Sequence, residues 1–134
     1  MPASYGGSSG SSAVIVDAPW SAVTSPSTAQ TTDATPTTLK TIATTTDKGH
    51  VVDLLVSATL ADRSAQAAWK ILATITNVAG VCTVRDVSVT GKDPTSVWTA
   101  TVDVSGTDIR VRVTGAAATT IDWCVTGTRL VHGS

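Results

Sequence analysis

The sequence predicts an all-β fold: an antiparallel β-sandwich, jelly-roll-like, with an extended N-terminal arm. Three observations carry that prediction. The first is composition. Thr is the most frequent residue, while Glu and Phe are absent. Thr and Val are β-branched, fit a pleated half-buried surface and lose rotamer freedom in helices, and Glu is a staple of helix surfaces. The second is hydrophobic alternation with period two over most of the chain. The third is a series of turn signals, Ala34-Thr35-Pro36-Thr37, Asp47-Lys48-Gly49, Gly91-Lys92-Asp93-Pro94 and Ser105-Gly106, spaced as short strands require.

Residues 1–27 read as the arm and residues 28–134 as the sandwich domain. Met1–Ser12 is Gly/Ser-rich and too polar to build a core. It is followed by a short apolar patch, Val14-Ile15-Val16, and by Pro19-Trp20. From Thr28 the chain reads as strand after strand. Thr28–Asp33 precedes one turn and Leu39–Ala43 follows it. In 50–60, Val52, Leu54, Val56, Ala58 and Leu60 alternate onto one face, with Leu55 on the other. In 66–78, Trp69, Ile71, Ala73 and Ile75 share a face. Gly80 turns the chain into 81–90, where Val87 and Val89 agree in direction. Trp98, Ala100, Val102 and Val104 form the next apolar row, and Ser105-Gly106 joins it to Ile109, Val111 and Val113 as a hairpin. Ile121, Trp123 and Val125 open the last strand, which runs toward Val131. One apolar and one polar face per strand is the pattern of antiparallel sheets packed as a sandwich. Trp69, Trp98 and Trp123 are in register with apolar neighbours and read as core.

Charge and motifs narrow the function. The net charge is −1 with 14% charged residues, and the densest basic pair, Arg110 and Arg112, stands beside Asp108. Nucleic-acid binding requires clustered cations to displace counterions from phosphate, so no nucleic-acid partner is expected. No apolar run approaches the roughly 20 residues of a membrane-spanning helix, and no membrane partner is expected. The N-terminus lacks a basic region followed by an apolar core, so no signal peptide is expected. Cys82 and Cys124 form no C-x-x-C motif; they read as free small hydrophobes or as a cross-strand disulfide.

No catalytic constellation is legible. His50 and His132 are far apart and read as surface residues rather than zinc ligands. No G-x-S-x-G elbow is present. Asp86, Asp103, Asp108 and Asp122 fall on polar strand faces or turns, as solvated carboxylates do. Asp47, Asp62 and Asp93 occupy loops but lack EF-hand spacing. The expectation is therefore a protein without enzyme activity, catalytic residues, metal or cofactor. Candidate partner-binding residues lie in the arm: Tyr5, Val14, Ile15, Val16 and Trp20. An extended apolar segment can add a strand to a sheet edge, and Trp is favoured at interface hot spots.

Several stretches resemble one known group of proteins. Thr31-Thr32-Asp33-Ala34-Thr35-Pro36-Thr37-Thr38-Leu39 looks like the opening motif of small β modules in tailed-bacteriophage structural proteins. Ala67–Ile71 through Asn77–Gly80, Val102–Gly106 with Ile109–Ala116, and Thr120–Trp123 are similar to later parts of such modules, so that the resemblance spans roughly residues 28–126. It implies a virion component: a capsid decoration (cement) or head-fibre protein, or a tail-fibre or tail-spike module. A compact domain with a sticky arm fits a decoration protein on the capsid surface, assembled in the host cytoplasm and binding the major capsid protein or another virion protein as a homo-oligomer, a trimer by preference. The alternative it leaves open is a tail-fibre, receptor-binding module whose loops around Arg63 or Asp93 contact host surface glycans. A small carbohydrate-active or metal-dependent enzyme is the rival from another class.

Overall fold

Among the described residues, nine strands in two antiparallel sheets account for nearly all of the regular structure. The computed structural model describes residues 13–16, 27–92 and 97–133. The strands are β1 (Ala13–Val16), β2 (Ser27–Thr31), β3 (Thr37–Ala43), β4 (Lys48–Leu60), β5 (Gln66–Val78), β6 (Val81–Lys92), β7 (Thr99–Ser105), β8 (Asp108–Thr114) and β9 (Ile121–Gly133). The larger sheet runs β1-β9-β4-β5-β6, with β2 also on β9; the smaller runs β3-β8-β7. β1 and β2 lie end to end along the edge of β9 that β4 leaves open, with Ile15 opposite Val131 and Ala29 opposite Trp123.

The jelly-roll character resides in the first and last strands. β2 pairs β9 in one sheet and β3 pairs β8 in the other, so a single antiparallel ribbon folds across both layers. The middle strands depart from it, because β4, β5 and β6 stay together as a meander in the larger sheet.

The alternation in the sequence translates directly into this sandwich. Val52, Leu54, Val56 and Ala58 of β4, and Ala67, Trp69, Ile71, Ala73 and Ile75 of β5, are all buried. They meet Trp98, Ala100, Val102, Ile109, Val111 and Val113 of the smaller sheet in one continuous core. Trp69 and Trp123 stack there with centroids 5.5 Å apart and planes at 20°. Leu55 and Leu72 point out of the opposite face and are 49% and 50% exposed.

Two bulges shift the parity of the pattern. In β6, Ile75 pairs with Val84 but Thr74 pairs with Asp86, leaving Arg85 as the extra residue. Cys82 and Val84 therefore lean inward together with Val87, although odd and even positions should diverge. In β3 the register slips between Thr38 and Lys40, which lets Leu39 and Ile42, three residues apart, both reach the core.

Two sequence expectations are corrected. Gly91-Lys92 is not loop but the end of β6, since it pairs with Trp69 and Ala68. A Cβ on Gly91 would stand 2.4 Å from Trp69 Cδ1, so the missing side chain is what lets the indole lie over β6. His50 is not a surface residue either. It lies on the inward parity of β4, opposite Ile75 and Val131, and is 1% exposed. His132, by contrast, is exposed.

Candidate functional site

A broad concavity lies on the outer face of the larger sheet, beside the β4–β5 turn. It is a shallow open depression of about 790 Å³ whose rim and floor include Gln30, Ser57, Thr59, Arg63, Gln66 and Asp122. Register explains its shape. Gln30, Asp122, Thr59 and Gln66 form one row across β2, β9, β4 and β5, and Thr28, Cys124, Ser57 and Ala68 form the next. The short side chains make a floor, and the long ones stand around it.

The polar rim is fixed by its own bonds. Gln30 Nε2 donates to Asp122 Oδ1 at 2.8 Å, and Arg63 Nη1 lies 3.3 Å from Asp122 Oδ2. Donation from Gln30, and then from Arg63, favours the ionised carboxylate and lowers the Asp122 pKa below its ordinary value. Arg63 occupies the left-handed region, with φ at 68°, uncommon for a residue other than glycine. The turn is closed by Arg63 N–H to the Leu60 carbonyl (2.8 Å) and by Asp62 Oδ1 accepting from Ser64 N–H (2.9 Å). The resulting surface offers hydroxyls, amides and one internally balanced ion pair. Such a surface suits a neutral, hydroxyl-rich ligand better than a phosphate or a strongly charged one.

Elsewhere the outer faces are plainer. Lys70 Nζ pairs with Asp53 Oδ1 at 2.8 Å between the exposed Leu55 and Leu72. On the smaller sheet, Arg110 grips Asp103 through two bonds of 2.8 Å, and Arg112 donates to the Thr38 hydroxyl at 2.6 Å. The Arg110–Arg112 pair is thus occupied within its own sheet. Cys82 and Cys124 are free thiols on β6 and β9, with β4 and β5 between those strands. Asp47 accepts from the Ala79 N–H at 2.7 Å, so it serves as a turn anchor. Among the described residues, no group of three or more His, Cys, Asp or Glu side chains is arranged to hold a metal ion.

Of the candidate partner-binding residues, Tyr5 and Trp20 lie outside the described residues. Val14, Ile15 and Val16 form β1, which the structure pairs with Leu130–His132 of the same chain. The groove residues Gln30, Ser57, Thr59 and Gln66 were not singled out by sequence reasoning. Their only common signal is outward parity on adjacent strands, which needs the register to be seen. Arg63 is marked through its loop, and Asp122 reads as a solvated carboxylate on a polar strand face.

No protein-family model matches the chain, and no curated protein does. Among solved structures, the crystal structure of the Acinetobacter baumannii phage AM24 tailspike protein is similar, with a TM-score of 0.38 and 12% identity. That alignment covers 89% of this chain and 26% of the tailspike, so this chain spans about a quarter of that protein's length. The likeness is distant.

Proposed function

We propose that this protein is a structural component of a phage virion, without enzyme activity, that decorates the outer capsid surface as a homo-oligomer and binds the major capsid protein. The observation that carries this reading is where the resembling segments meet. The Trp123 indole N–H donates to the Thr31 hydroxyl at 2.8 Å. A Cβ on Gly115 would stand 2.8 Å from that same hydroxyl oxygen and 3.3 Å from the Asp33 carbonyl. Thr31–Leu39, Ile109–Ala116 and Thr120–Trp123, scattered in sequence, thus build one packed corner that joins the two sheets. These segments have a role in architecture.

Attachment is assigned to the arm, through Tyr5, Val14–Val16 and Trp20, with the exposed Leu55–Leu72 face available to neighbouring copies. Repetition over a shell makes modest affinity per copy sufficient. Quantifying this protein in purified virions and locating it by labelled-antibody microscopy tests the reading. Many copies on the shell are expected; absence from virions contradicts it.

A second reading is favoured by the groove at Gln30, Arg63 and Asp122. Its hydroxyl and amide surface supports a tail-fibre or receptor-binding module that contacts host surface glycans. Label at the tail tip, and binding to host polysaccharide that falls at least tenfold in Arg63→Ala, would select it over the shell.

A further inference from the structure

The corner between β3 and β4 is held from several directions by polar bonds. Thr44 N–H and its hydroxyl both reach the Thr107 carbonyl, at 3.2 and 2.6 Å. Asn77 Nδ2 donates to Thr44 Oγ1 at 2.8 Å, and Cys82 Sγ lies 3.3 Å from the same oxygen. Arg129 Nη1 donates to the Ala43 carbonyl at 2.6 Å. The next residue depends on a histidine: Thr45 N–H donates to His50 Nε2 at 3.0 Å.

That bond fixes the state of the ring. A nitrogen that accepts from an amide carries no proton, so His50 is neutral, with its hydrogen on Nδ1. Nδ1 is buried and has no hydrogen-bond partner. The charged and titratable groups that act on the ring come from β9, namely Arg129 and His132. In the corner itself, the Asp47 carboxylate is turned to the Ala79 amide, and Asn77 from β5 is neutral. Among the described residues, no carboxylate thus stands ready to compensate an imidazolium.

We infer that His50 is an acid-operated latch: the neutral imidazole closes the β3–β4 corner through Thr45, and protonation releases it. A proton on Nε2 sets a donor against the Thr45 N–H and destroys the bond. It also places a cation out of water beside Arg129. Burial first, then Arg129, keeps the proton affinity of the folded ring below the ordinary value of 6.5, with backbone groups of Ile75 and Lys48 partly opposing. The sign follows from linkage. The open corner binds the proton more tightly than the closed one, so the closed form is fully favoured above about pH 6.5. Below it, the closed-to-open ratio falls by up to tenfold per pH unit, until the folded ring itself titrates. Thr44 stays anchored to Asn77 and Thr107, neither of which titrates here, so the opening is local to Thr45–His50.

The chain has only two histidines, which makes the test clean. NMR titration of the full-length protein from pH 7.5 to 4.5 follows the His50 ring and the Thr45 amide together. The expected result is one shared midpoint below 6.5, with the Thr45 amide losing protection from exchange as the ring charges. His50→Gln supplies an acceptor for Thr45 that does not titrate, and should lack the transition; His132→Gln should keep it. A Thr45 amide unchanged down to pH 4.5 overturns the latch. So does a transition that survives in His50→Gln or disappears in His132→Gln. If His50→Gln does not fold, the wild-type titration still decides, since separate midpoints for ring and amide contradict the coupling.

Discussion

Thr31 shows how much of this fold can hang on one hydroxyl. It ends β2, accepts the buried indole proton of Trp123 and sits where Gly115 leaves no side chain. Thr31→Val keeps the shape but strands the indole N–H, at a cost of about 1–3 kcal/mol. Trp123→Ala removes a fully buried aromatic and its stack on Trp69, and should cost about 3–5 kcal/mol. Urea melts of both variants check the order. If Trp123→Ala melts like the wild type, the inward face of β9 is wrongly assigned. Ala79 gives the opposite sign. It occupies the left-handed region, with φ at 53°, in the two-residue turn before Gly80, where Asn is favoured. Ala79→Asn should stabilise the protein by about 0.5–1 kcal/mol, read as a higher urea midpoint at unchanged slope. At this scale the sequence was least legible. His50 looks like a polar residue opening a strand, and only the register opposite Ile75 and Val131 turns it inward.

The elements were legible where period two ran unbroken. β5 is expected and found over 66–78, because Trp69, Ile71, Ala73 and Ile75 keep one parity from end to end. β6 was harder. The bulge at Arg85 reverses parity halfway, and Gly91 resembles a loop until Trp69 is seen lying across it. Gly91→Ala tests that contact. The added methyl meets an indole that Trp123 holds from its other side, so the variant should lose about 1–3 kcal/mol and change its near-ultraviolet circular dichroism. Normal stability and spectrum would show that the β5–β6 pairing is looser than drawn. The candidate groove was hidden for a related reason. Its residues come from β2, β4, β5 and β9 and a turn, and nothing local joins them. The division between arm and sandwich also makes an element-scale prediction. Deleting residues 1–26 leaves β2 and the whole core, so the β-sheet circular dichroism and cooperative melting should persist. A soluble but unfolded product would mean that the segment before Ser27 is part of the folding unit.

For the whole molecule, the proposed division of work is between the two-sheet body and residues 1–27, which contribute β1 to its larger sheet. The ion pairs on the larger sheet are exposed and small in effect, while the body's stability comes from the joint core of both sheets. The first 27 residues contain no Lys or Arg. Attachment through them should therefore rest on apolar burial and backbone pairing, and resist salt that would screen a rim of charges. The direct measurement is add-back. Full-length, arm-deleted and Trp20→Ala proteins are offered to virions stripped of this protein, and bound copies are counted from low to high salt. The account predicts saturation of the shell by the full-length protein with little loss in salt, a severe loss for the arm-deleted form, and an intermediate one for Trp20→Ala. Full occupancy by the arm-deleted form, or no binding to the shell by any form, would contradict it.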